Sequence, residues 1–481
     1  MRWVAARNHA TRYAYRMNRL LLLVVASSLG CNLFPETSVD QRPAADLAGQ
    51  SGRIDWLPVK HAPDPSRAAA GEAHFSDGTF ARALIPLTAL RSLFYVWGGV
   101  PPSGDDAYWA AFRERYGFFE APYANDGLPM GLRKVDATSA TFDCRMCHAD
   151  VVAGQARIGA GNSRLDYQGL MDELQTLANL AATVGFPSYQ NIVAGQKRTA
   201  AAGATDAMGL GFWLSTNYAL PPAELQTNLG FQQPAPWWNL RYKDRIYSDN
   251  SGSVEGNRTM MSMYLSFGMT LAEIQKLDEP MEDLRHYLLS LPPPIWPFVA
   301  PAGEAEQRGR AVFGDRCASC HGTYGGSDAN YPGLVVNRSA VGTDPVRAER
   351  LTSVEADWVN ASWFGEKHPM KATGGYIAPP LAAVWASAPY FHNGSVPDLR
   401  SVLRSSERPV RWRRAGSSEA DYDPDRVGWR YTTPQTASVT SIEGRKTYDT
   451  TQLGLSNAGH TYGDGLSDAD LGDLLDYLKT L

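Results

Sequence analysis

Two stretches have residue types and spacing that could do chemistry: Cys144-Arg145-Met146-Cys147-His148 and Cys317-Ala318-Ser319-Cys320-His321. Two thiols separated by two residues reach the two vinyl groups of one porphyrin, and the histidine beside the second thiol can give a ring nitrogen to iron. The pattern predicts two covalently bound c-type haems, with His148 and His321 each supplying one axial ligand. Four of the five cysteines are used in this way and Cys31 stands alone, so no disulfide framework is left over. Paired disulfides or one shared zinc site would leave the histidine of each motif unexplained. The pairs also lie 173 residues apart, and zinc ligand pairs are usually far closer.

What each iron does depends on its second face. For the iron at His321, three candidates follow in the chain: Met370, His392 and His460, with His368 less well spaced. The ordinary cytochrome c arrangement suits Met370, but spacing alone does not choose among the three. After His148 there is no methionine until Met171 and no histidine until His286, which falls off the apolar face of its helix and reads as surface. His61 and His74 precede the motif and read as solvated. A thioether from Met260, Met261, Met263 or Met269 could reach the first iron, but methionines at helical spacing read first as core filler. The first iron is therefore expected to be the open one. Glu173 and Glu255 are the acids to test for proton transfer there.

The elements that must position these motifs read as helices. Trp109, Phe112 and Tyr116 recur at helical spacing between Asp105 and Tyr116, and Met281, Leu284 and Leu288 do so between Asp278 and Leu291. The latter run stops at Pro292-Pro293-Pro294, taken as the domain boundary. A helix from Glu304 to Phe313 precedes the second motif, and one from Ser467 to Leu481, with a Ser467/Asp470 capping pair, ends the chain. No alternating strand pattern of any length is visible. The expected fold is mainly α, with two cytochrome c-like haem domains and long irregular loops, at 75–291 and 292–481. Gly159-Ala160-Gly161-Asn162 reads as backbone close to something flat, and the aromatic and basic residues of 234–247 as a porphyrin wall able to pair with propionates.

With 44% hydrophobic and 20% charged residues the chain is ordinary globular material. Residues 1–30 carry Arg2, Arg7, Arg12, Arg16 and Arg19 and no acid, so their removal takes the net charge from −5 to about −10 and argues against a nucleic-acid partner. Haem is attached to such motifs after export, and residues 1–30 read as a signal peptide: Leu20 to Ala26 is too short to span a bilayer but suits a signal core. Ser28-Leu29-Gly30-Cys31 resembles a lipoprotein box, making Cys31 the lipidation site; an ordinary signal peptide with an incidental cysteine is the alternative. Residues 31–74 then form a tether. The expected location is periplasmic, anchored to the outer membrane as a lipoprotein, or secreted.

Residues 378–399, Ala-Pro-Pro-Leu through Tyr-Phe-His-Asn-Gly-Ser-Val-Pro-Asp-Leu, resemble the bacterial di-haem cytochrome c peroxidase superfamily. The order of the haem motifs, the Pro-Trp-Trp-Asn cluster and Asn457-Ala458-Gly459-His460 are more similar to its rubber-oxygenase branch. That resemblance implies a C-terminal haem held by two histidines, which ranks His460 first, His392 second and Met370 third. It makes His392 a structural residue near the haem edge. It also implies a reactive N-terminal haem whose iron binds oxygen under an apolar ceiling, for which the stretch from Met260 to Phe267 is the candidate. The peroxidase branch places a Met or Tyr soon after the His-Asn-Gly turn, and Ser401 to Glu407 contains neither. That branch would also imply a calcium ion between the domains, for which the sequence offers no dedicated acidic loop.

The expected function is that of an oxidoreductase, oxygenase-like or peroxidase-like, whose first haem activates O2 or peroxide and whose second transfers electrons. The alternative is a di-haem electron carrier with both irons six-coordinate. Its partners are a redox protein or a small-molecule oxidant.

Overall fold

The computed structural model describes residues 56–77, 79–80, 85–182, 202–203, 205–206, 231–265, 269–438 and 440–481. The signal segment, Cys31, the start of the tether and Phe267 lie outside them. Eight helices frame the haem motifs: α1 (Pro65–Asp77), α2 (Asp105–Tyr116), α3 (Tyr167–Ala182), α4 (Asp278–Ser290), α5 (Gly303–Arg316), α6 (Val346–Arg350), α7 (Ser353–Asn360) and α8 (Asp468–Lys479). No described helix is long and apolar enough to cross a membrane.

Helix α2 has Asp105 and Asp106 in its first turn and Arg113 and Arg115 in its last, which complements the helix dipole. Gly117, in the left-handed conformation, closes it through a bond to the Arg113 carbonyl. Its buried Trp109, Phe112 and Tyr116 pack with Leu170 of α3 in one core cluster. Two helix pairs flank the centre. Helix α1 crosses α4 at Gly71, and α5 crosses α8 at Gly309; a Cβ there would lie 2.0 Å from the Asp283 carbonyl oxygen or 1.9 Å from that of Asp473. Only a residue without a side chain permits such approaches. Arg67 to Asp283 and Arg308 to Asp473, each at 2.6 Å, fix the two crossings.

The expected mainly α architecture is corrected by the structure, which is about 40% helical with 13% strand. The described residues hold two three-stranded and five two-stranded sheets. Their strands are two to four residues long, too short for an alternating pattern to register in the sequence. Residues 65–74, read as the end of a tether, instead form most of α1 and pack on α4. His286 is likewise not free surface: its Nδ1 accepts the Asp64 N–H at 2.9 Å.

The largest core cluster joins Phe313, Trp385, Trp429 and Leu474 to Val152, Trp238 and Tyr242, so it draws on both sides of Pro292. Two buried ion pairs make the same connection: Arg414 to Asp150 at 2.9 Å and Arg445 to Asp166 at 2.5 Å. Asp150 also accepts from Ser163, and Arg414 donates to the Val151 carbonyl.

Candidate haem-binding site

Both Cys-x-x-Cys-His motifs open onto one cavity of about 990 Å³, whose lining includes all four motif cysteines and both motif histidines. The cysteines are free thiols. Burial pushes Cys144 up to about 11, Cys147 up to about 12 and Cys317 up to about 11, with Asp143, Cys144 and Cys320 respectively adding to the shift. Unpaired, protonated thiols facing a cavity are the form that adds to porphyrin vinyl groups, so the donor set fits haem attachment. Among the described residues no group of three or more His, Cys, Asp or Glu gathers as a metal site. A shared zinc site has no ligand set there, and neither does an acidic calcium site.

At the second motif, Cys317 ends α5 and the next helical turn carries Ala318 to His321. His321 Nδ1 lies 2.9 Å from the Pro379 carbonyl. A carbonyl only accepts, so this contact makes Nδ1 the protonated nitrogen and leaves Nε2 bare for a metal. Across the cavity stands His460, its ring centroid 6.3 Å from that of His321. An imidazole nitrogen binds a first-row metal at about 2 Å and its ring centroid lies about 1 Å further, so two rings facing across one iron are separated by about 6 Å. Burial lowers both imidazoles, His460 to about 4 with His321 and Arg408 adding to it, which keeps them in the neutral form that ligates metal.

The loop holding His460 is clamped at several points. His460 has a positive φ of 46°, and its N–H donates to Val341 at 2.7 Å. Gly459 lies against Gly342, where a Cβ would come 2.2 Å from the Gly342 carbonyl carbon. Arg408 donates to the carbonyls of Asn457 at 2.8 Å, Gly459 at 2.7 Å and His460 at 3.1 Å.

The other two candidates for the second iron sit elsewhere on the cavity wall. His392 stacks on Tyr376 at 4.1 Å, and its carbonyl accepts the Gln233 N–H. Burial, with Arg347 adding to it, pushes His392 down to about 3. Met370 is bonded at both its N–H and its carbonyl by the Asn360 amide. It belongs to the core cluster of Trp237, Met261 and Tyr264, against which Cys144 packs, and so falls on the side of the first motif.

At the first motif, Asp143 caps the short turn Cys144–Met146 by accepting the Arg145 N–H, and also binds the Arg145 side chain. His148 stacks on Trp237 with ring centroids 4.7 Å apart and planes 21° apart, the one ring contact it makes among the described residues. Burial lowers it to about 4; the Ala235 carbonyl opposes that shift, although Nδ1 makes no fully formed hydrogen bond. The backbone explains the stack: Gly159 donates to the His148 carbonyl at 2.8 Å and accepts from Trp237 at 2.9 Å. The flat object that Gly159 approaches is the Trp237–Trp238 pair.

The remaining wall near this site includes Met260, Met263, Tyr264, Leu284 and Met370. The described residues lining the cavity contribute two carboxylates, Asp143 and Glu355, and both are committed. Asp143 is held by Arg145 and Arg133, and Glu355 by Arg350 and the Thr352 N–H. Neither acid singled out in the sequence lines the cavity. Glu173 binds Arg115 and the Tyr116 hydroxyl, and Glu255 lies 3.7 Å from His368. His74 does line it, bonded to Thr79, whereas His61 pairs with Asp244. Arg408 is a site residue the sequence gave no signal for, whereas Lys243 and Pro379 lie in the stretches 234–247 and 378–399 that it singles out, without their individual roles being legible.

Residues 375–413 match a family model described as RoxA-like, cytochrome c-like. The match spans the Pro379 carbonyl that holds His321, as well as His392 and Arg408. The chain thus carries a RoxA-like cytochrome c-like domain, which implies covalently bound haem c. One such region is recognised, and this corrects the expected pair of cytochrome c-like domains. Two proteins of Sinorhizobium fredii are similar. Uncharacterized protein y4iM is 31% identical over 233 residues, 40% of this chain and 52% of its own length. Uncharacterized protein y4iJ is 26% identical over 309 residues, 48% of this chain and 50% of its own. The chain therefore spans about half the length of the curated relatives it matches.

Proposed function

We propose that this chain is an exported di-haem c-type cytochrome acting as an oxidoreductase, with division of labour between its haems. Cys144, Cys147 and His148 would hold one haem, and Cys317, Cys320, His321 and His460 the other. A c-type haem supplies O2 or peroxide activation where one iron face is open, and electron transfer where both faces are filled. The observation that carries the reading is the contrast between the two histidines: His321 faces a second imidazole at 6.3 Å, whereas His148 meets the indole of Trp237. The apolar, methionine-rich wall beside His148 keeps water from that face. Peroxide cleavage calls for an acid or base free to move a proton. With Asp143 and Glu355 both tied into ion pairs, the arrangement favours oxygenase-like over peroxidase-like chemistry.

Export, lipidation at Cys31 and the division at Pro292 belong to the same reading. Metabolic labelling with a radioactive fatty acid, compared between the unmutated chain and Cys31→Ala, tests the lipid anchor. The alternative of an electron carrier with both irons six-coordinate draws support from Met370, a buried thioether on the Cys144 side of the cavity. Optical and EPR spectra of the oxidised protein, with and without cyanide or CO, separate the two. A high-spin component that binds ligand is expected. Two low-spin, ligand-inert haems would overturn the enzyme reading.

A further inference from the structure

The cavity wall contains one buried cation for which the described chain supplies no counter-ion. Lys243 follows the short helical turn Trp237–Tyr242, is 6% exposed, and lines the cavity. Its backbone N–H donates to Leu240, but its ammonium has no hydrogen bond or ion pair with any described residue. The one carboxylate acting on it through space is Asp249, which is already engaged by Arg347 at 3.0 Å and by the Ser251 hydroxyl at 2.8 Å. Arg347 is itself 5% exposed, lies over the Tyr247 ring, lines the same cavity, and has an Nε with no hydrogen-bond partner.

Leaving a charged group buried and unpaired costs several kcal/mol, so such a site normally has an anion to receive. Other cations of the wall are already matched: Arg133 to Asp143, Arg285 to Glu282, Arg316 to Asp315 and Arg350 to Glu355. Arg347 is matched by Asp249 and keeps only its Nε free, so the unmatched positive charge of the wall is concentrated at Lys243. Burial pushes the Lys243 ammonium down to about 8, as expected for a cation whose partner is not part of the chain.

Resting on the di-haem reading, we infer that Lys243, together with Nε of Arg347, binds the propionate carboxylates of the haem attached at Cys144 and Cys147. The first haem is indicated because the turn leading to Lys243 begins at Trp237, the residue stacked on His148. Tyr247, beneath Arg347, packs against the core cluster that also contacts Cys144. The site would fix the rotation of the porphyrin about its own normal, and would place positive charge beside an iron that is more positive when oxidised.

The test uses the purified holoprotein with Lys243→Met, Lys243→Gln and Lys243→Arg, read by optical redox titration and by the resonance Raman propionate bending band. Loss of the charge in Lys243→Met is expected to favour the oxidised first haem about tenfold, a potential lower by about 59 mV for one electron. The propionate band should shift with it, while the second haem stays unmoved. Lys243→Gln must change in the same direction, which covers the case of a Met variant that fails to fold, and Lys243→Arg must restore both readouts. Haem present at Cys144 and Cys147 with potential and band unchanged in both neutral variants overturns the assignment alone. Haem missing from those cysteines in the unmutated chain overturns the di-haem reading and the assignment together.

Discussion

The two motifs share a sequence pattern and a cavity, yet their surroundings differ in kind. Around His321 the chain supplies polar, directional contacts: the Pro379 carbonyl on one side, His460 on the other, and Arg408 gripping the loop behind. Around His148 it supplies area: an indole face, methionines and leucines, with the nearby carboxylate of Asp143 locked in ion pairs. Directional groups select one iron geometry and hold it, which suits electron transfer. An apolar enclosure leaves a face unassigned and dry, which suits binding a small gas. On the proposed reading, the difference teaches that the pentapeptide would fix attachment, while the loops opposite it would fix what the iron can do.

The sharpest way to break this comparison is His460→Ala. It should convert the second haem from ligand-inert to cyanide- and CO-binding, with loss of its low-spin EPR signal, while His392→Ala should leave that signal in place. If the two substitutions behave in the reverse manner, the assignment of His460 is wrong. Next in size is Asp150→Ala, two residues past His148, which strands Arg414 in a buried setting. A loss of about 3–5 kcal/mol in denaturant unfolding is expected, because removing one partner of a buried pair leaves the other uncompensated.

The third test uses pH. His392 is held neutral with its pKa at about 3, against about 6.5 in an unfolded chain. Between those values the unfolded state takes up a proton that the folded state refuses, so stability falls as pH drops through the window. The contribution approaches 1.4 kcal/mol per pH unit at most, and His392→Phe should remove that part of the slope in acid-unfolding curves. The narrowest effect is expected from Trp237→Leu, which should change the spectrum of the first haem alone; its stability cost adds the cavity left by a buried indole to the about 0.5–1.5 kcal/mol of the stacked pair. An equal change at the second haem would dissolve the distinction between the sites.

Much of the frame was legible from residues alone. The runs 105–116, 278–290 and 468–479 have apolar residues at helical spacing and end signals that agree with it, and all three form helices. Helix α1 was not legible, because its Ala-Ala-Ala stretch after Pro65 carries little apolar periodicity; the α4 surface and Gly71 make it a helix. The short strands leave no mark in the sequence because two to four residues are too few to show alternation. At the site, the attachment residues could be read directly, since covalent chemistry demands consecutive residues. Resemblance, not spacing, ranks His460 first, because 139 residues separate it from His321. The lack of a partner for Lys243 depends on burial and on Asp249 being taken, and neither is visible in a one-dimensional pattern.

The back-to-back contact of Gly459 with Gly342 has a consequence for tuning. His460 reaches across the cavity only as far as two bare backbones can close, so the height of its ring is set by a methyl group that is not there. Adding it, as Gly459→Ala, would act like a shim beneath a bearing. The formal charge would be unaltered, but the loop would have to move off the Gly342 backbone at a position of φ +76°, the His460 ring would shift with it, and on the proposed reading the affinity of the iron for an electron would change without any change in the identity of its ligand.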